Sequence, residues 1–576
     1  MTVGADVVPR EANGLPTRPN RPTSLRRNVL FTVPDVADAV AAAIPDRPLV
    51  IQGDRRYSYS EVLTRANRLA AYLHAQGLGC HTERDQLAGH EVGQDLLGIY
   101  AYNGTEFIES LLGAFRARVA PFNVNYRYVK AELQYLLNDS GATALVYHAA
   151  FAPTLAEVLP ELPELKVLIQ IADGSGNELL PGAVDYESVV TADVPPPPVT
   201  PSPDDLYVLY TGGTTGMPKG VLWRQHDIFM TSFGGRNMMT GEPSSSIQEI
   251  VDRVAASGEL RMMILPPLIH GAAQWGAMTG LTSGQTIVFA STVDSFDAQD
   301  IVSTIEREKV MVVTVVGDAM ARPLVTEIEK GLATGTVDVS SLSVIANGGA
   351  LFTQTVKSRL VQALPNSIVV DGVGSSETGA QMSHVSTAAS VSTGTFTAGP
   401  DTRVVSEDCT ELLAAGHDGN GWLAQEGYVP LGYKGDATKT AKTFPSINGV
   451  RYAIPGDRAR LLDGGVIELL GRDSVTINSG GEKIFAEEVE AAIASHPSVI
   501  DVVVAGRPSE RWGNEVVAVV ALADGASVPA TELIEHASAS IARYKLPKAI
   551  VFRPVIVRSP AGKADYRWAR EQATAG

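Results

Sequence analysis

Short apolar runs recur along the chain, and each stops at a turn rich in glycine or proline. Residues 206–210 (LYVLY) run into Thr211-Gly212-Gly213, and 262–265 (MMIL) into Pro266-Pro267. Likewise 343–346 run into Asn347-Gly348-Gly349, and 368–370 into Asp371-Gly372. Between such runs lie stretches with apolar positions at helical spacing, for example 300–309 and 353–364. Runs this short between turn signals read as strands, and the intervening stretches as amphipathic helices. Strand, turn and helix in repetition predict an α/β fold with layers of mostly parallel sheet. Ligands in such folds sit at the carboxyl ends of the strands, where these glycine turns fall.

The pattern changes near residue 474. From there a glycine turn at Gly480-Gly481, an acidic helix over 486–495, strands over 499–505 and 515–522, and a helix over 531–543 predict a compact α+β unit. Its size, about 100 residues, suits a small domain. Three segments result: a disordered leader over 1–30, a large domain over 31–473, and a small mobile domain over 474–576. The prolines 195–198, 201 and 203 read as a stiff connector inside the large domain. Residues 81–94 (HTERDQLAGHEVGQ) look like an inserted loop between a helix and a strand.

The chain has 576 residues, more than one hydrophobic core organises. Forty-six Lys+Arg against 64 Asp+Glu leave a net charge of −18, which argues against nucleic acid as a partner. The two cysteines, Cys80 and Cys409, are too few for a disulfide framework and point to a reducing, cytoplasmic setting. The longest apolar run, 310–317, falls short of the roughly 18 residues a membrane span needs and reads as a buried strand. Peripheral membrane contact and a homodimer stay open.

Residues 210–220 (YTGGTTGMPKG) carry the chemistry. Gly212, Gly213 and Gly216 let backbone N–H groups converge on an anion. Thr211, Thr214 and Thr215 add hydroxyls, and Lys219 adds a point charge. The spacing is not that of a Walker A loop. His90-Glu91 has no second histidine at metalloprotease spacing, and no nucleophile elbow occurs.

The segment resembles the signature loop of the adenylate-forming superfamily: acyl-CoA synthetases, luciferases and peptide-synthetase adenylation domains. The resemblance extends from about residue 31 to 570, because four further landmarks follow in order. Trp223-Arg224-Gln225, where many members have Thr-His, resembles bacterial fatty-acyl and steroid-acid CoA ligases. The resemblance implies that ATP, Mg²⁺ and CoA take part, with Glu377 and Thr214 near the metal. Within DGVGSSETG (371–379), it places Asp371, Gly372, Val373, Gly374, Ser375 and Ser376, together with Gly349, around the nucleotide. Val373 departs from the usual aromatic residue. Asp457 and Arg472 correspond to ribose and phosphate contacts. Gly480 and Gly481 match the turn that approaches the thiol arm of CoA, and Lys563, in Pro560-Ala561-Gly562-Lys563, matches the adenylation lysine. Ser474 takes the hinge position, where Asp or Lys is usual. Taken alone, a tail lysine is more often a solvated charge; its motif context overrides that here.

The implied acyl pocket lies beside His270, Gly271 and Trp275, with Gly348 and the rest of 347–351 opposite. The small residues Ala272, Ala273, Gly348 and Gly349 suggest room for a bulky apolar acid, fatty or steroid. The expected activity is acid–CoA ligation through an acyl-adenylate. The alternatives are a ligase that loads a carrier protein, a luciferase-like oxidase, and a nucleotide-binding protein without catalysis.

Overall fold

The structure, a computed structural model, describes residues 29–575 apart from 214–215, 238–239, 351, 473–474, 480–481, 510–512, 542 and 559–563. Among the described residues two large sheets stack with helices between and outside them. The eight-stranded sheet is parallel from Leu206–Gly213 through Ala120–Asn123, Leu96–Tyr100, Ala144–His148 and Val167–Ile171 to Ala183–Asp185. Strands Leu96–Tyr100, Ala120–Asn123, Ala144–His148 and Val167–Ile171 are buried at every residue, as a parallel sheet covered on both faces requires.

The thirteen-stranded sheet is mixed. Its parallel part runs from Ile368–Ser375 through Val344–Gly348, Val312–Val315, Arg261–Ile264 and Thr286–Phe289 to Pro48–Gln52. Beyond Ile368–Ser375 the pairing turns antiparallel, through Gly379–Ser386 and Thr395–Ala398 to Val466–Arg472 and Asp457–Leu461. The expected parallel layers are therefore joined to an antiparallel extension. Its hairpins were hidden because their turns lack a single repeated signal.

Alternation along the strands divides the core. Val50, Ile264, Ile287 and Phe289 of one sheet and Leu97, Ile99, Tyr207 and Leu209 of the other face a shared helix layer. Helix Thr105–Arg116, in that layer, is buried throughout. Their neighbours Ile51, Met263, Val288 and Val313 face helices Ala298–Glu308 and Gly317–Thr334 on the outside. The central helix carries Glu109, wholly buried, whose charge is met by Arg65 Nε at 2.6 Å and the Tyr186 hydroxyl at 2.8 Å. The segment 81–94 is a loop with one short 3₁₀ turn, Arg84–Gln86, and closes on itself through a bridge between Cys80 and Gln94.

A third sheet contains Ile477–Ser479, Glu482–Ile484, Val499–Ser509, Gly513–Leu522 and Ala549–Phe552. Val502, Val504, Ala518 and Val520 face helices Ala486–Ala494 and Ala530–Ser538, and Val503, Val517 and Val519 face helix Tyr566–Ala575. The helix expected to reach 543 ends at Ser538, and Arg543–Lys545 form a separate 3₁₀ turn.

Helix Ala486–Ala494 buries Glu490, which accepts from Val504 N at 2.8 Å and from the Tyr566 hydroxyl at 3.3 Å. Burial, reinforced by the charge of Glu487, pushes its carboxyl up to about 8. An unfolded glutamate ionises near 4.3, so between these values the folded state binds the extra proton and stability falls as pH rises. Glu490→Gln should flatten this dependence. The wild-type melting temperature should drop more than that of the variant between about pH 5 and pH 8, measured by scanning calorimetry; parallel profiles would refute the assignment.

Candidate active site

The glycine segment is the end of a β-hairpin. Strands Leu206–Gly213 and Gly216–Arg224 pair antiparallel, with Tyr210 opposite Gly220 and Thr211 opposite Lys219. Thr214 and Thr215 lie outside the described residues. Gly220 is small for a steric reason: a Cβ there would stand 2.8 Å from the Tyr210 ring. The Tyr210 hydroxyl donates to Asp139 at 2.8 Å. Burial first, then the charge of Asp139, raises this phenol far above its ordinary range, so it stays a donor.

Asn123, at the carboxyl end of its strand, fixes the hairpin root. Its Nδ2 donates to Tyr210 O at 2.8 Å and Ile269 O at 2.7 Å, while Oδ1 accepts from Tyr210 N at 2.9 Å. One side chain thus joins the start of the glycine segment to the residue before His270.

A second hairpin, Ile368–Ser375 with Gly379–Ser386, brings 376–378 against the first. Trp223 Nε1 donates to Ser376 O at 2.8 Å. Ser375 and Thr378 pair through their hydroxyls at 3.1 Å, and Glu377 N donates to Ser375 Oγ at 3.3 Å. Glu377 Oε1 accepts from the Tyr433 hydroxyl at 2.7 Å. Gly374 is required by close approach, since a Cβ there would meet Gly379 O at 2.2 Å. Val373 packs beside Met382 and Phe396, so its aliphatic side chain belongs partly to the core.

The third component is 432–444. Gly432–Tyr433 pairs with Val221 and Leu222 of the first hairpin. Asp436 caps helix Ala437–Thr443 and forms an ion pair with Lys219. That pair holds the Asp436 carboxyl below its usual range. Lys439 Nζ lies 4.0 Å from the centre of the Tyr433 ring. Burial lowers the Lys439 ammonium, and the Glu377 charge opposes that shift. Lys434 donates to Asp139 O at 2.9 Å. Lys219 and Lys439 therefore lie close to Glu377 and Asp436, while Lys434 is held by Asp139 beside the stem of the first hairpin.

Other expected residues fall as follows. Asp371 is buried, with its carboxylate taken by Lys357, itself wholly buried, and by Asn347 Nδ2 at 2.9 Å. Its side chain is therefore structural, and only its backbone remains for a nucleotide. Gly349 has φ +87°, which favours glycine, and a Cβ on it would meet nothing within 4 Å. Gly348 ends strand Val344–Gly348, opposite Gly372. His270 precedes helix Gly271–Thr282 as its N-cap. Gly271 opens no space: a Cβ there would strike Leu209 at 2.7 Å and Trp275 at 3.2 Å, so the glycine serves helix-on-strand packing. Asp457 and Arg472 stand directly opposite each other in paired strands. Ser474, Gly480, Gly481 and Lys563 lie outside the described residues.

Sequence reasoning passed over Asn123, Tyr433 and Asp436. Asn123 is a polar residue ending an otherwise apolar run, and Asp436 stands where an N-cap would before Ala437; both signals were readable.

A fold of two stacked sheets with a small third one, and glycine hairpins converging on lysines and a glutamate, defines a nucleotide-handling class. A family model described as AMP-binding enzyme matches residues 37–433, and one described as AMP-binding enzyme C-terminal domain matches 488–563. The chain belongs to the AMP-binding enzyme family. It is 76% identical over 547 residues to the medium-chain acyl-CoA ligase Mig of Mycobacterium avium, covering 95% of this chain and 99% of that protein. It is 40% identical over 550 residues to the 3-oxocholest-4-en-26-oate–CoA ligase of Rhodococcus rhodochrous, covering 93% and 96%. Among solved structures, the anthranilate CoA ligase AuaEII in complex with anthranoyl-AMP aligns with a TM-score of 0.77 at 18% identity, covering 95% of this chain and 98% of that one. That likeness shows the fold alone.

Lys357→Met should leave the Asp371 carboxyl without its ion-pair partner in the core. Breaking a buried pair from one side costs about 3–5 kcal/mol. The midpoint of urea unfolding should fall accordingly; an unchanged midpoint would show that Asn347 alone satisfies the carboxylate.

Proposed function

We propose that the enzyme activates an apolar carboxylic acid, a medium-chain fatty acid or a steroid side-chain acid, as acyl-AMP and transfers the acyl group to CoA. The observation that carries this reading is the meeting of the two glycine hairpins through Tyr433–Glu377 and Trp223–Ser376, with Lys219 at their edge. The ligases named above support the choice of substrate class.

A carboxylate repels a thiolate and lacks a good leaving group. In the first half-reaction its oxygen attacks the α-phosphorus of ATP, the bond from that phosphorus to the α,β-bridging oxygen breaks, and pyrophosphate leaves with the bridging oxygen. In the second, the CoA sulfur attacks the carbonyl carbon, its proton is released, and AMP departs with the carboxylate oxygen. Positioning and charge neutralisation carry most of such catalysis.

Lys219, Thr211, Gly212, Gly213, Thr214, Thr215 and Gly216 hold the leaving phosphates, with Lys219 exchanging Asp436 for phosphate oxygen. Gly349, Gly372, Val373, Gly374, Ser375 and Ser376, with the backbone of Asp371, line the adenosine and α-phosphate. Asp457 and Arg472 hold the ribose, and Lys563 neutralises charge between carboxylate and α-phosphate. His270, Trp275 and Gly348 border the acyl group. Gly480 and Gly481 line the thiol path, and Ser474 is the hinge of the small domain.

Mg²⁺ fits this site. It is bound through one or two carboxylates plus substrate phosphates rather than a protein cage. No cluster of three or more metal-ligating side chains occurs among the described residues, and Glu377 offers a single carboxylate oriented by Tyr433. Glu377 and Thr214 would hold the ion, which would neutralise phosphate charge. No helix among the described residues is long and apolar enough to cross a membrane; a cytoplasmic setting is the reading supported by a cysteine content too low for a disulfide framework.

A cation about 4 Å from an anion at an effective dielectric near 20 contributes roughly 4 kcal/mol. Lys563→Ala should therefore slow acid-dependent ATP–pyrophosphate exchange on the order of 10²–10⁴-fold. Thioester formation from synthetic acyl-AMP should change little. Exchange at the wild-type rate would refute the role of Lys563. In a panel of fatty, steroid and aromatic acids, pyrophosphate release should favour the first two; a preference for aromatic acids would overturn the substrate class.

A further inference from the structure

The loop 81–94, between helix Tyr59–Ala75 and strand Leu96–Tyr100, stands beside the active site. His81 N and Thr82 N close its base by donating to Gly93 O at 2.8 and 3.1 Å. Gly93 is required there, because a Cβ would meet Thr82 O at 2.1 Å. The base is fastened to the root of the first hairpin. Gln94 Oε1 accepts from Leu206 N at 2.7 Å, and Gln94 Nε2 donates to Arg118 O at 2.8 Å. Arg118 in turn holds Glu83 of the loop through two bonds of 2.8 Å, and Asp205 beside Leu206 at 2.9 Å. Val92 packs on the apolar cluster that contains Leu206, Val208 and Leu222.

The tip is shaped from within. Arg84 donates through Nη1 to Glu91 O at 2.7 Å and through Nη2 to Ala88 O, while Glu91 Oε2 accepts from Ala88 N at 2.8 Å. Glu91 N also donates to Ala88 O at 3.0 Å, which closes 88–91 as a turn. That turn presents His90 O to Gly435 N, which donates to it at 2.8 Å. Gly89 approaches the same segment so closely that a Cβ on it would stand 2.8 Å from Leu431 O. Lys434 N, one residue before Gly435, donates to Gly220 O at 2.8 Å. Leu206 stands opposite Arg224 and Tyr210 opposite Gly220. The loop therefore spans four residues of the hairpin from root to tip, about 13 Å. The segment it reaches carries the Tyr433 hydroxyl, 2.7 Å from Glu377 Oε1, and Asp436, paired with Lys219.

We propose that the 81–94 loop is a positioning brace for the phosphate grip: its His90 carbonyl, aimed by Arg84, holds the 433–436 turn that sets Glu377 and Lys219. The inference rests on the reading that Lys219 and Glu377 face the phosphates of ATP. Gly435 has φ +68°, which suits glycine, and glycine is the residue whose backbone loses most freedom on ordering. Lys434 N ties the turn to the hairpin, and Gly435 N ties it to the loop. A shift of the tip is therefore passed to Tyr433 and Asp436, two residues and one residue away, and from them to Glu377 and Lys219. A grip on phosphate acts before and during the transfer alike, so loosening it raises KM more than it lowers kcat. The brace contributes to the first half-reaction, since pyrophosphate has left before the thiol attacks.

The test compares Arg84→Ala, Arg84→Lys, Gly89→Ala and Lys219→Ala in the full-length enzyme. ATP binding is measured by titration calorimetry without acid or CoA, and adenylation by acid-dependent ATP–pyrophosphate exchange. Thioester formation is followed from synthetic acyl-AMP and CoA. Arg84→Ala should weaken ATP binding and raise KM for pyrophosphate about 10-fold, with kcat of exchange within about 3-fold of wild type. Gly89→Ala should give the same split by pushing the tip off Leu431. Arg84→Lys should recover only part of the loss, because an ammonium lacks the fixed fork that reaches Ala88 O and Glu91 O together. Thioester formation and melting temperature should be retained in all three. Wild-type ATP affinity and KM for pyrophosphate in Arg84→Ala and Gly89→Ala, with both constants weakened in Lys219→Ala, would overturn the proposal and leave the proposed function standing. Equal loss of both half-reactions in Arg84→Ala, with a lower melting temperature, would make the loop a structural cover and also overturn it. Lys219→Ala with wild-type ATP affinity and KM for pyrophosphate would instead refute the reading on which it rests.

Discussion

The carboxamide of Asn123 satisfies backbone groups from two parts of the site that are far apart in sequence. Tyr210 contributes both its N–H and its C=O, and Ile269 its C=O. All three are buried, where an unpaired backbone group costs about as much as a lost hydrogen bond. Only a side chain with both a donor and an acceptor serves Tyr210 in this way. The start of the glycine hairpin and the entry to helix Gly271–Thr282 are therefore held in one frame before any substrate arrives. The other elements of the site attach to that frame: the second hairpin through Trp223, and Tyr433 through its pairing with Val221.

Electrostatics follow from the same frame. The protein carries a net charge of −18 yet handles two anions, a carboxylate and a triphosphate. It gathers Lys219 and Lys439 beside the first hairpin and sets Asp436 and Glu377 among them. Lys219 pairs with Asp436 and Lys439 lies near Glu377, and these carboxylates offset the repulsion between the two lysines. Lys357 and Asp371 are a different case. They are sealed in the core, so their pairing steadies the strand that carries Gly372 and Gly374. The strand is held rigid from inside while its glycines face outward.

The sequence disclosed the strand-and-turn rhythm, the glycine segments and the order of the motifs, because each depends on residues close together in the chain. The glycine turn between Thr211 and Lys219 was legible, although the position of these two residues facing each other across a hairpin was not. The role of Asp371 could not be read, since Lys357 and Asn347 come from other elements and leave no local trace. Asn123 was readable as a polar residue ending an apolar run, but its partners, 87 and 146 residues away, were not. The packing role of Gly271 could not be read either. A glycine that opens space and one that permits close packing are the same letter, and only the position of Leu209 separates them. The antiparallel extension of the larger sheet was obscure because its strands are short and joined by dissimilar turns.

The central claim is that the carboxylate oxygen becomes bonded to the α-phosphorus of ATP and leaves with AMP. Following the reaction of an ¹⁸O-carboxylate-labelled fatty acid with ATP and CoA by mass spectrometry tests this directly. The account predicts one ¹⁸O in AMP and none in pyrophosphate. Label in inorganic phosphate, with ADP as the nucleotide product, would mean an acyl-phosphate intermediate and would contradict it.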